Sequence, residues 1–400
     1  MYRHRWIEKA VRALARTRPA LYVGGARQVG KTTLLRATFP RARYVSFDLP
    51  VEQRRALDDP RLFIETCGRQ AILDEIQHVP DLLPYLKAAM DADRRPGRWL
   101  LTGSQHYAAM RHLSETLAGR VGILSLQPFS VREWHGRPPG SWPAWMTAQA
   151  RRPPCPHEQF WQHVQRGMFP ELCVAPRINP ANWFDSYLIS YLERDLRSQL
   201  RVGSIRDFER FLRAAAVRTA QLVNYTDLAR DVGIAVSTAR EWVSVLEGGF
   251  QVRLLEPYHR NLGKRLVKSP KLYWLDTGLA AHLLGIRSAD ELIRSPFAGA
   301  LFENWVVAEI GKQLSAGMDR PPLWFWQTSN GTEVDLVVEQ GSRLWPCEIK
   351  TGTTFRDGWI AGLRRFLLAY GAHAAHGTVI NLGEHQRLSR DIVLANARCW

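Results

Sequence analysis

Gly25, Ala26, Arg27, Gln28, Val29, Gly30, Lys31 and Thr32 form a complete G-x-x-x-x-G-K-[ST] loop. Such a loop works only where a strand ends and a helix begins. The flanking sequence has that form: an apolar run, Ala20 to Val23, precedes it, and an amphipathic run, Thr33 to Thr38, follows. Gly25 and Gly30 let the backbone curl so that successive N–H groups point inward. The new helix adds its unpaired N–H groups and the positive end of its dipole. The expected ligand of Gly25 to Thr33 is the phosphate chain of a nucleoside triphosphate. Lys31 would reach the β- and γ-phosphates, and the Thr32 hydroxyl would bind Mg²⁺.

The rest of the first third supplies the partners such a loop needs. Ala42 to Phe47 reads as a second strand, and a charged helical segment runs from Val51 to Thr66. Gln70 to Glu75 is a short apolar strand ending in Asp74-Glu75. In that place Asp74 would bind the Mg²⁺ shell and Glu75 would activate the attacking water. Trp99 to Thr102 is a further strand, with Ser104 and Gln105 both candidates for a γ-phosphate sensor at its end. Val121 to Leu126 follows Gly119-Arg120. Strands alternating with helices imply a parallel sheet covered on both faces. Arg120 is a candidate finger that neutralises transition-state charge in trans, which would require a homo-oligomer; Arg111 and Arg194 are rivals.

Four hundred residues suit several domains. No run of eighteen apolar residues is present, so neither a transmembrane helix nor a membrane partner is expected. Five scattered cysteines, odd in number and without a C-x-x-C pair, argue against a disulfide framework and for a reducing compartment, with cytoplasm the expected location. A net charge of +16 implies attraction to polyanions. Arginine-rich composition alone would give the same excess, so a fold element must locate the charge.

Gly136 to His157, rich in Pro, Gly and Trp, reads as a linker or surface loop. Trp183 to Gln199 is an amphipathic helix suited to a lid over the nucleotide. After a helix from Phe208 to Ala220, Tyr225 to Gly233 and then Ser237 to Glu247 have the pattern of a capped helix, a Gly turn and a second helix. That is a helix-turn-helix signature. Val252 to Pro257 and Lys271 to Trp274 would pair as a wing around a basic turn. Ser237, Thr238 and Arg240 are candidate DNA contacts on the second helix, and Lys264 and Arg265 on the wing. The same fold also serves as a protein-interaction or lid module.

Near the C-terminus, Glu303 opens a helix, and Gly331 to Glu339 and Leu344 to Lys350 form a hairpin. Asp335 and Glu348 lie on its two strands, and Glu348 and Lys350, two apart, share a face. Asp, Glu-x-Lys and an upstream helical Glu resemble the PD-(D/E)XK nuclease fold. That resemblance implies Mg²⁺ on Asp335 and Glu348, help from Glu303, and a phosphate- or water-polarising Lys350. Val334 stands where the family motif has proline.

Taken together, Gly-Ala-Arg-Gln-Val-Gly-Lys-Thr-Thr, Leu-Asp-Glu-Ile-Gln, Leu-Thr-Gly-Ser-Gln and Leu-Ala-Gly-Arg-Val with Leu-Gln-Pro-Phe-Ser occur in order. They resemble the bacterial and archaeal AAA-type ATPases that carry a C-terminal domain of unknown function, DUF4143. Gly167 to Glu171, Tyr191 to Asp195, Leu275 to Leu279 and Leu301 to Asn304 resemble that family too. The resemblance implies ATP rather than GTP, and hydrolysis with Mg²⁺. It implies an α/β fold: a P-loop domain over 1–135, a linker and helical lid over 136–200, a winged-helix region over 201–287, and an α/β restriction-endonuclease-like domain over 288–400, with DUF4143 spanning 201–400. The function expected is an ATPase whose nucleotide state governs DNA binding or processing. A regulatory or scaffold protein with an inert nuclease-like domain is the alternative.

Overall fold

The computed structural model describes residues 2–104, 117–142, 152–191, 205–258, 269–315 and 321–400. Five strands, β1 (Ala20–Gly24), β2 (Arg43–Ser46), β3 (Ala71–Asp74), β4 (Trp99–Gly103) and β5 (Val121–Ser125), form a parallel sheet in the order β2-β3-β4-β1-β5. The inner strands are buried on both faces, which is why they read as continuous apolar runs. Alternate residues feed two cores. Leu21, Val23, Ile72 and Leu100 enter one, while Ala20, Tyr22, Leu73 and Leu101 enter the other. The charged segment expected as one helix is two, Pro50–Asp58 and Pro60–Thr66. Pro60 cannot continue the first helix but suits the first turn of the next, and Asp59 caps it through the Leu62 N–H at 3.0 Å.

The middle of the chain is helical. The helix expected over 183–199 spans Pro180–Tyr191, and its remainder falls outside the described residues. Helices Ile205–Val217, Tyr225–Val232 and Val236–Gly248 lead into an antiparallel ribbon of β6 (Val252–Leu255) and β7 (Lys271–Trp274), the element order of a winged helix. Asn224 caps the second helix and Gly233, at φ +82°, ends it. A mixed sheet closes the chain: β8 (Leu323–Gln327), β9 (Glu333–Gln340), β10 (Arg343–Ile349), β11 (Gly377–Asn381), β12 (Gln386–Arg387) and β13 (Ile392–Asn396). Its order is β12-β13-β11-β10-β9-β8. β8, β9 and β10 are an antiparallel meander. The Ala361–Tyr370 helix then carries the chain across to β11, parallel to β10.

One core runs through all of this. The cluster that begins under β1 continues through Phe160, Phe184 and Phe211 to Phe302, Trp305 and Trp400. The Gly136–His157 stretch is accordingly no free linker where it is described. Trp142 is fully buried and donates its backbone N–H to Gln340 Oε1 at 2.9 Å, and the Cys155 N–H donates to the Arg398 carbonyl at 3.0 Å. Its described residues are otherwise irregular and mostly exposed, as the turn composition implies, so the stretch is a loop pinned at these points. All five cysteines are free thiols, and no described helix is long and apolar enough to cross a membrane.

Candidate functional site

The carboxyl ends of β1, β3, β4 and β5 meet at one edge, where open α/β sheets bind ligands. The loop leaves β1 with Gly25 at φ +156° and Gln28 and Gly30 in positive φ. A side chain at Gly25 would collide with the Leu126 carbonyl oxygen, so glycine there lets the exit of β5 pack against the loop. The Lys31–Thr38 helix starts directly after Gly30. Lys31 is 5% exposed and curls back: its Nζ donates to the Gly25 and Ala26 carbonyls at 2.9 and 3.0 Å and lies 3.8 Å from Glu75 Oε1.

Asp74, at the end of β3, is met by three hydroxyls. Thr32 and Thr102 donate to Oδ1 at 2.7 and 2.5 Å, and Tyr44 donates to Oδ2 at 3.0 Å. Glu75 sits at φ +57°, a left-handed conformation that costs energy for a residue with a side chain and turns the carboxylate toward the loop. Its N–H donates to Thr102 Oγ1 at 3.0 Å. Burial raises the Glu75 pKa, but the charge of Lys31 and a hydrogen bond from Gln77 outweigh it and hold the carboxyl below its ordinary value. Gln77 Nε2 also reaches Ser104 Oγ at 3.2 Å, so it ties the β3 exit to the β4 exit. The structure therefore brings Lys31, Thr32, Asp74, Glu75 and Ser104 together. Gln105, Arg111 and Arg194 lie outside the described residues.

Arg120 is elsewhere. Its carbonyl accepts from the Ala20 N–H, which puts it at the amino ends of the strands, the far edge from the loop. Its guanidinium grips both oxygens of Asp91 at 2.7 and 2.9 Å, so it does not serve its own chain's loop and is already engaged. Gly119-Arg120 precedes β5, so Arg120 falls at that strand's amino end; the expected finger role concerned the loop of another copy. Three residues near the loop went unassigned. Thr102 and Tyr44 reach Asp74 only through the register of β2, β3 and β4, and Gln77 only through the short turn Ile76–His78.

A second constellation lies in the mixed sheet. Pairing of Cys347 with Leu336 sets Asp335 opposite Glu348. Asp335 Oδ2 accepts the Ile349 N–H at 2.7 Å, and Lys350 Nζ lies 3.5 Å from Asp335 and 2.7 Å from Glu348 Oε1. Glu348 Oε2 is buried with no hydrogen-bond partner. Burial, then the nearby Asp335 charge, pushes Glu348 up to about 8. Glu303, on the Ala298–Ser315 helix, is pushed up to about 7 by burial and Asp335. It is committed differently from expectation: Tyr273 donates to its Oε1 at 2.7 Å, and Lys271 lies 3.4 Å away while also pairing with Glu333. Among the described residues no three His, Cys, Asp or Glu side chains converge into a metal cage. Asp335 and Glu348 with its orphaned oxygen are the pair that fits a divalent cation.

Ser237 and Arg240 are exposed at the start of the Val236–Gly248 helix and Thr238 is half-buried; the Arg240 guanidinium lies over the Tyr225 ring at 4.6 Å. Lys264 and Arg265 lie outside the described residues. Two other recognisable segments turn out to be braces. Asp276 accepts the Met168 N–H at 2.7 Å and the Leu279 N–H at 3.2 Å, and a side chain at Gly167 would strike its carboxylate. Asn304 both accepts from and donates to the Trp274 backbone, at 2.6 and 2.8 Å, fixing the Ala298–Ser315 helix to β7.

That helix also touches the phosphate-loop region. Glu309 Oε2 accepts the Val131 N–H at 2.8 Å, and Lys312 Nζ donates to the Phe129 carbonyl at 3.0 Å and pairs with Glu309 at 3.1 Å. Next to this strap, the buried Arg5 donates to the Gln127 carbonyl at 2.7 Å and to the Val29 carbonyl, inside the loop, at 3.1 Å. Glu133 fixes the same guanidinium at 3.1 Å.

The loop, the five-stranded parallel sheet and the Asp-Glu strand define a P-loop ATPase domain. Residues 17–135 match the AAA domain family, 157–290 a domain of unknown function (DUF8612), and 298–400 a domain of unknown function (DUF4143). The DUF4143 match is thus shorter than the 201–400 span the resemblance implied. An uncharacterized protein of Mycobacterium tuberculosis and one of Mycobacterium bovis are each 35% identical over 354 residues, 86% of this chain and 72% of theirs. The chain belongs to the family of AAA-type ATPases with a C-terminal DUF4143 domain. Among solved structures it is similar to a Walker-type ATPase of Pyrococcus abyssi (TM-score 0.44, 16% identity, 71% of this chain and 96% of that one). It is similar also to AMPPCP-bound DnaA of Aquifex aeolicus (TM-score 0.29, 10% identity, 60% and 85%).

Proposed function

We propose that this chain is an ATP-hydrolysing switch whose nucleotide state controls the access of DNA to the Asp335–Glu348–Lys350 site. The observation that carries the proposal is the Ala298–Ser315 helix, which carries both Glu303, near enough to Asp335 to feel its charge, and Glu309 and Lys312, bonded to the strap beside the phosphate loop. Glu309 lies six positions along the helix from Glu303, a rise of about 9 Å. A shift of the loop on nucleotide exchange is therefore felt at both ends of one rigid element.

At the loop, backbone N–H groups and Lys31 bind the phosphates, and Ser104 with Gln77 senses the terminal one. Glu75 takes a proton from water as its oxygen attacks the γ-phosphorus, and the bond to the ADP oxygen breaks. Thr32 and Asp74 would hold Mg²⁺, which supplies neutralisation of phosphate charge. In the C-terminal sheet, Asp335 and Glu348 would hold a divalent cation, and Lys350 would contact the scissile phosphate. Ser237, Thr238 and Arg240 dock the duplex, with Lys264 and Arg265 on the wing, and location in the cytoplasm accords with free thiols.

Plasmid incubated with Mg²⁺ or Mn²⁺ tests this. Nicking by the wild type, lost in Asp335→Ala and Lys350→Ala, is the expected result. Equal behaviour of all three refutes cleavage and leaves a nucleotide-controlled scaffold. That second reading has its own support in the two lysines lodged among the carboxylates.

A further inference from the structure

Four carboxylates, Glu303, Glu333, Asp335 and Glu348, are met by two lysines, and the two lysines differ. Lys350 is 35% exposed in its side chain and stands two residues from Glu348 on the same strand, so it can swing aside. Lys271 is buried and comes from β7, outside the sheet that carries the site. It pairs with Glu303 and Glu333 and lies 5.6 Å from the centre of the Phe325 ring. Tyr273, two residues on and therefore on the same face of β7, closes Glu303 Oε1 with its hydroxyl. With its side chain 5% exposed and paired to two carboxylates, the Lys271 ammonium is far more enclosed than that of Lys350. Glu348 is the opposite case: it is 9% exposed, and its Oε2 has no partner.

Two-metal sites clamp a reacting phosphate between ions about 3.5–4 Å apart, held by several carboxylates. Here two of the four carboxylates, Glu303 and Glu333, are taken by the buried Lys271, while the other two share the half-exposed Lys350. We infer that Lys271 is a built-in substitute for a second divalent ion, so that the C-terminal site loads one ion, on Asp335 and Glu348. The inference rests on the proposed assignment of a divalent cation to that pair. Lys271 is a specificity-determining residue in this scheme: it sets the number of ions and keeps Glu303 and Glu333 from ligating. It also makes the site composite, because the ribbon that bears the wing supplies its fixed charge.

The test is titration of Mn²⁺ into the nucleotide-free full chain, with free Mn²⁺ counted by electron paramagnetic resonance. Asp74→Asn serves as the parent to silence the phosphate loop. The parent should bind one ion and Asp335→Asn in that background none. Lys271→Met should bind two and Lys271→Arg one. A Lys271→Met protein that still binds one ion overturns the inference. A parent that binds none removes the underlying cation assignment instead, so the two failures are distinguishable. Should Lys271→Met unfold in chelator, Mn²⁺ must restore the fold and raise its thermal midpoint by at least twice the parent's rise; unfolding that ignores Mn²⁺ also overturns the inference.

Discussion

The two candidate sites use the same residue types to opposite ends. At the phosphate loop, one carboxylate is satisfied by three neutral hydroxyls and the other by a lysine and an amide, so backbone N–H groups and Lys31 dominate and an anion is wanted. In the mixed sheet, carboxylates outnumber lysines, Glu348 keeps an orphaned oxygen, and a cation is wanted. The carboxyl groups register this. Glu75 is held below its ordinary value, while Glu303 and Glu348 are pushed up to about 7 and about 8. What distinguishes the sites is a surplus of hydrogen-bond donors at one and of carboxylates at the other, which is the basis for proposing an anion at the first and a cation at the second.

The largest expected effect is at the loop. Lys31→Ala removes the buried ammonium of the loop, and ATP turnover in a coupled assay should fall about 10²–10³-fold. Retained turnover would break the anion half of the contrast. Glu75→Gln should lower turnover by about 10²–10⁴-fold while fluorescent-nucleotide affinity stays within about threefold. Parallel loss of binding would make Glu75 structural.

The sites also part in their response to pH. Glu303 binds its proton more tightly in the folded chain than in the unfolded one. Between about pH 4.5 and 7 the native state therefore carries the extra proton, and stability falls as pH rises through that window. Glu75 has the reverse sign: its contribution is present above the unfolded value and is lost as pH falls through the lower folded one. Urea melts in chelator at pH 5, 6, 7 and 8 should show declining stability in the wild type. The decline should be shallower in Glu303→Gln and unchanged in Glu75→Gln. The smallest effect belongs to the Val236–Gly248 helix, proposed to dock DNA. Arg240→Ala should weaken duplex binding a few-fold and reduce the salt slope by about one; an unchanged slope would place the contact on other residues.

Much of the loop site was legible in the sequence, because its residues sit at fixed offsets from strand ends. Lys31, Thr32, Asp74 and Glu75 needed only the period of the strands and the glycine turn. Thr102 and Tyr44 were not legible, since an ordinary strand threonine and tyrosine acquire their role from register with Asp74. The hairpin bearing Asp335, Glu348 and Lys350 was legible from alternation, and the short-range part of the site followed. Lys271 and Tyr273 were read only as wing residues, because their partners lie thirty or more positions away in other elements. Gly136 to His157 was legible as an irregular, mostly exposed stretch from its composition, whereas the burial of Trp142 was not, because its partner Gln340 lies far along the chain.

The account stands on the Ala298–Ser315 helix joining the two sites. Plasmid-nicking rates with ATP, with ADP, and in Glu75→Gln held with ATP test that link most directly. The account predicts rates that differ about fivefold or more between ATP and ADP, with Glu75→Gln fixed at the ATP value. A measurable rate that is the same in all three states would contradict it.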